Sequence, residues 1–73
     1  MLAQANVVTL QVNGKSMSVE PGTTLTTFLE GRNLHPRLVV VERNREIVAK
    51  SAYVSTVLEK GDLLEVAHFV GGG

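Results

Sequence analysis

Apolar and polar side chains alternate near the start of the chain, where Val8, Leu10 and Val12 are separated by Thr9 and Gln11. A period of two is the pattern of a half-buried β-strand. Asn13-Gly14 follows at once, a strong signal for a two-residue hairpin turn because both residues tolerate positive φ. The return strand is predicted over residues 15–19, with Met17 and Val19 inward and Ser16 and Ser18 outward. Pro21-Gly22 ends it, since proline has no N–H to give to a ladder.

The period then changes. Leu25, Phe28 and Leu29 fall at i, i+3 and i+4, which makes one apolar stripe on a short helix over residues 24–32. Thr23 or Thr24 can cap its first turn through the hydroxyl oxygen. Asn33 suits a left-handed terminator, with Leu34 folding back onto the helix behind it. Pro36 prevents continuation.

Residues 38–41, Leu-Val-Val-Val, read as a central strand. Successive side chains of a strand point to opposite faces, so one helix cannot cover all four. Val39 and Val41 are expected on the open face, where with Leu63 and Phe69 they form an apolar docking patch. Residues 42–45 look turn-like and 46–48 form a short return strand. Residues 49–59 are irregular, with a helical turn pinned by Tyr53 and Val57. Gly61-Asp62 is a turn, and residues 63–70 are the longest strand candidate. A hairpin, one crossing helix and further strands in this order imply an α+β fold: a mixed sheet of four to five strands with the first and last parallel at its centre. This is the β-grasp arrangement of ubiquitin-like proteins.

Composition narrows the function. Seventy-three residues make one small domain over 1–73, with 1–6 expected to fray and 71–73 to form a flexible tail. The only aromatic residues are Phe28, Tyr53 and Phe69, so the core is expected to be Val and Leu. Seven basic residues balance seven acidic ones, which argues against nucleic acid and against a membrane-anchoring basic patch. Cysteine is absent, which removes disulfides, thiolate metal sites and thiol catalysis. His35 and His68 lack neighbours at ligand spacing, so no metal site is expected. Residues 1–12 contain no Lys or Arg and do not read as a signal peptide. The chain reads as cytoplasmic. Asp62 reads as a turn residue and Arg43 and Arg45 as decoration of an exposed turn. No catalytic constellation is evident, so an independent enzyme is not expected.

The three terminal glycines, Gly71-Gly72-Gly73, add no packing and cost order. A tail without Cβ atoms can thread a narrow channel and deliver the α-carboxylate of Gly73, which is ionised at neutral pH. Attack of that carboxylate on the α-phosphate of ATP gives an acyl-adenylate, and sulfur transfer to the activated carbonyl then gives a thiocarboxylate.

With these elements the chain resembles the sulfur carriers of thiamine biosynthesis, the ThiS family. The matching stretches are Val12-Asn13-Gly14, residues 25–29, Glu46-Ile47-Val48, residues 57–62 and residues 66–73, and the likeness covers about residues 7–73. It implies that Gly73 is adenylated by an E1-like adenylyltransferase using ATP and magnesium, with no cofactor bound by the carrier itself. Gly71 and Gly72 would enter the partner active sites. Sulfur would come from cysteine through a cysteine desulfurase or another donor, and pass to thiazole synthase. Asn44-Arg45 departs from the Asn-Gly usual in the family's second turn, which implies a looser hairpin. Ala49-Lys50 stands where Pro-Arg is common. Related readings are a carrier for molybdopterin, tRNA thiolation or cysteine synthesis, a protein modifier, and a β-grasp binding module without terminal chemistry.

Overall fold

Asn13 and Gly14 adopt φ of 52° and 84°, the pair of positive values that a two-residue type I′ turn requires. The turn joins β1 (Val8–Val12) to β2 (Lys15–Val19) in an antiparallel hairpin, with Leu10 opposite Met17. The computed structural model describes residues 6–68.

The helix α1 (Leu25–Gly31) carries caps that the sequence specifies. Thr24 Oγ1 accepts the Thr27 N–H at 3.2 Å. Asn33, at φ 62°, closes the other end: its N–H reaches the Glu30 carbonyl, and the Leu34 N–H reaches Leu29. Those two bonds make a Schellman motif with asparagine in the left-handed position. Leu25, Phe28 and Leu29 are buried, as their spacing predicts.

A 3₁₀ turn at Pro36–Leu38 leads into β3 (Val39–Arg43), and β4 (Glu46–Ile47) returns from it. A second 3₁₀ turn, Lys50–Ala52, begins the irregular segment before β5 (Leu63–His68). The sheet order is β2-β1-β5-β3-β4. β1 and β5 run parallel at the centre, and the other neighbours are antiparallel. This is the expected β-grasp with five strands.

Three expectations are corrected. Glu42 and Arg43 belong to β3, so the turn is only Asn44-Arg45. That hairpin is not loose, because Arg45 itself takes φ 73° beside Asn44 at 53° and closes a two-residue turn. The irregular segment is pinned by Tyr53 and Leu58, whereas Val57 is exposed and makes an isolated bridge to Thr24.

The segment also completes the helix. Its carbonyls at Thr56 and Tyr53 accept the N–H groups of Leu25 and Thr26, two of the donors a first helical turn leaves unpaired. The Tyr53 hydroxyl donates to the Val39 carbonyl at 3.1 Å, and burial pushes the phenol above its ordinary pKa. Helix, loop and β3 thereby close over one core of Leu10, Val12, Leu25, Leu29, Val39, Val41, Leu58 and Leu64.

Candidate functional site

The residues with the clearest candidate chemistry, Gly71, Gly72 and Gly73, lie outside the described residues, as does Phe69. What the structure describes is the strand that precedes them. β5 is the central strand of the sheet, paired with β1 on one side and β3 on the other. Side chains hold it at its start and again at Val66.

At the start of β5 stands Asp62, only 5% exposed. Its carboxylate accepts the Glu59 N–H at 2.8 Å, the Asn44 amide at 3.1 Å and the Arg43 Nε at 2.9 Å. Burial alone would raise its pKa. The three donors outweigh burial and, with the Arg43 charge, hold the carboxyl below its ordinary value. Arg43 also donates to the Val57 carbonyl, and Asn44 accepts the Leu63 N–H at 3.0 Å. Asp62 is therefore a structural lock, and Arg43 is its partner, not surface decoration. The sequence signal was available as a carboxylate two residues before a buried leucine, but nothing local paired it with residues 43 and 44.

At the far end, the backbone ladder between β1 and β5 stops at Val12 opposite Leu64. Asn13 extends it with its side chain. Its Oδ1 accepts the Val66 N–H at 2.8 Å, and its Nδ2 donates to the Val66 carbonyl at 3.2 Å. An amide side chain has one acceptor and two donors, so it can replace a peptide group here. Position 66 is thus fixed seven residues before Gly73.

Beside this clamp a groove of about 340 Å³ opens between the end of α1 and the first hairpin, bordered by Lys15, Phe28, Arg32 and His68 among others. His68 is exposed at the rim. His35 caps the Pro36–Leu38 turn by accepting the Arg37 N–H. Among the described residues no three His, Cys, Asp or Glu side chains gather as metal ligands. No helix among them is long and apolar enough to cross a membrane.

The expected docking patch changes composition. Val39 and Val41 are fully buried beneath the helix, opposite His68 and Val66, so they are not surface residues. β3 alternates as expected but in the opposite phase, because phase is set by pairing with β5 and by the 3₁₀ turn that starts the strand at Val39. Val40, 37% exposed, takes the outward position. Leu63, 43% exposed, lies on the open face as expected, and Ile47 joins it.

The ThiS family model matches residues 10–73, which takes in β1 from Leu10 onward, β5 and the glycine tail. The chain belongs to the ThiS family. It is 42% identical over 65 residues to the sulfur carrier protein ThiS of Bacillus subtilis, covering 88% of this chain and 98% of that protein. It is also 42% identical over 64 residues to a thiazole synthase of Magnetococcus marinus and 39% identical to one of Paramagnetospirillum magneticum. The chain spans about a fifth of the length of those two proteins, 20% in each case. The crystal structure of a ThiS from Geobacter metallireducens superposes with a TM-score of 0.77 at 32% identity, covering 90% of this chain and all of that one. A solution structure of a thiamine biosynthesis protein from the same organism gives 0.72. This ThiS-family chain thus shares the ubiquitin-like β-grasp with both.

Proposed function

We propose that the protein is a sulfur carrier for thiamine thiazole synthesis, not an enzyme, and that its reactive group is the carboxylate of Gly73. The observation that carries this reading is the family match, which extends into the glycine tail as far as residue 73. The carboxylate attacks the α-phosphate of ATP on an E1-like adenylyltransferase that supplies the magnesium, and pyrophosphate leaves. A desulfurase takes sulfur from cysteine as a persulfide, whose terminal sulfur displaces AMP to give an acyl disulfide, and a thiol reductant cleaves the S–S bond to leave the thiocarboxylate. Thiazole synthase then receives the sulfur. Relatives named thiazole synthase that carry a similar segment support this acceptor over molybdopterin, tRNA or cysteine synthesis. The reaction belongs in the cytoplasm, which suits a chain without cysteine.

The carrier's own part is geometric. β5 is fixed at Asp62 and at Val66, which sets the position and direction of the strand as far as His68. Gly71 and Gly72 then offer a partner's channel a backbone with no side chains to exclude. The test is intact mass analysis after incubation with ATP, the adenylating enzyme and a sulfur donor. Replacement of oxygen by sulfur nearly matches the mass of methionine oxidation at Met1 or Met17, so fragmentation or selective alkylation must locate it. Sulfur at Gly73 is the expected result. An unmodified terminus, with the enzyme active on another carrier, would overturn the reading, and isopeptide adducts on other proteins would point to a modifier.

A further inference from the structure

The open face of the sheet has an acidic centre inside an apolar frame. In the register of β3 and β5, Glu42 stands directly opposite Glu65 and Val40 opposite Ala67. Glu42 also faces Ile47 on β4, and Leu63 lies beside Gln11 on β1. Their partners in alternation, Val39, Val41 and Leu64, are buried under the helix, so all these residues lie on the face away from it. Directly opposed residues of an antiparallel pair hold their Cβ atoms about 4.5–5.5 Å apart, where like charges destabilise the pairing. Among the described residues neither glutamate forms an ion pair. Arg43 turns to the other side to meet Asp62, and Arg45 borders the same hollow as Glu42, Leu63 and Glu65 without pairing with either carboxylate.

We infer that this face docks a protein surface that presents one arginine or lysine within an apolar surround, with the cation seated between Glu42 and Glu65. Leu63, Val40 and Ile47 supply the apolar contact. A cation between two carboxylates relieves their repulsion, so the charge that costs stability in the free carrier favours the complex. The same arrangement selects among occupants. A second copy docking through this face would bring two acidic pairs together, and a nucleic acid or nucleotide would meet negative charge with negative charge. The occupant we assign is thiazole synthase, a choice that rests on the function proposed above and on relatives named thiazole synthase that contain a similar segment.

Calorimetric titration of purified thiazole synthase with the full chain, the double variant Glu42→Gln/Glu65→Gln and the reversal Glu65→Lys, each at low and high salt, tests this. Wild type is expected to bind most tightly at low salt. The Gln pair should bind about tenfold more weakly with a flatter salt dependence, and the reversal more weakly still. The midpoint of thermal unfolding of the free Gln pair should not fall below wild type, which separates lost docking from lost folding. Equal affinity of wild type and the Gln pair at both salt concentrations would overturn the inference. So would a failure of wild type to bind thiazole synthase, including the case where the same variants instead weaken binding to the adenylating enzyme. Thiocarboxylate formation at Gly73 is scored in parallel. Sulfur there with charge-independent docking removes this inference alone, whereas an unmodified terminus removes the function it rests on.

Discussion

Arg43 and Asp62 meet at 2.9 Å between β3 and the turn that leads into β5, 19 residues apart in sequence. The pair joins the β3–β4 hairpin to the central strand, and Asn44 completes it from the next position.

Asp62→Ala removes the ionised acceptor of three hydrogen bonds, one of them from a charged donor, and leaves the Arg43 guanidinium without its carboxylate partner. The expected loss is about 2–3 kcal/mol in urea unfolding. The acid dependence follows from the direction of the shift. The folded carboxyl titrates below its unfolded value near 3.8, so its contribution is complete above that value and is lost as the pH falls through the folded one. The stability difference between wild type and Asp62→Asn should be constant from about pH 7 to about pH 5 and shrink below about pH 4. A difference that grew toward acid would contradict this assignment.

Arg45 holds φ 73° in a turn whose sequence counterpart, Asn13-Gly14, uses glycine at the same place. A side chain in the left-handed region costs roughly 1–2 kcal/mol, part of which glycine returns as chain entropy. Arg45→Gly is expected to stabilise the protein by about 0.5–1 kcal/mol, read as a higher urea midpoint at unchanged slope. A lower midpoint would mean that the Arg45 side chain contributes more than its backbone strain costs.

Adjacent valines on β3 should respond in opposite ways. Val41→Asp buries an unpaired charge in the core and should cost about 4 kcal/mol or more, enough to abolish a cooperative transition in so small a domain. Val40→Asp should leave the fold nearly unchanged and weaken binding to thiazole synthase instead. Circular dichroism separates the two, and a folded Val41→Asp variant would show that the phase of β3 assigned here is wrong.

Asn13→Gly keeps the positive φ of the turn but removes both bonds to Val66. It should lower stability by about 1 kcal/mol and speed amide exchange at Val66 far more than at Leu64, whose strand pairing is intact. Uniform acceleration along β5 would show that the clamp is not local.

Much of the fold is local and therefore readable along the chain. The Asn13-Gly14 turn, the cap at Thr24, the Asn33 terminator and the Leu25-Phe28-Leu29 stripe each depend on residues a few positions apart, and the structure places them as their spacing implies. The parallel pairing of β1 with β5 follows from the order of the elements. The glycine tail, in that context, was the part of the chain that pointed to chemistry.

Other features depend on contacts that no local pattern records. Which valines of β3 enter the core was decided by its register against β5, since a shift of one residue exchanges the faces of a strand. Asp62 became a lock only when the fold brought Arg43 and Asn44 to it, and Asn13 became a clamp only where the backbone ladder ran out beside Val66. The opposition of Glu42 and Glu65 arises in the same way. The sequence alone thus determined the elements, their caps and the glycine tail, because these are written within a turn or two of chain. Only the tertiary structure decided the faces, the lock and the charged pair, because each joins residues that are neighbours across strands and distant along the chain.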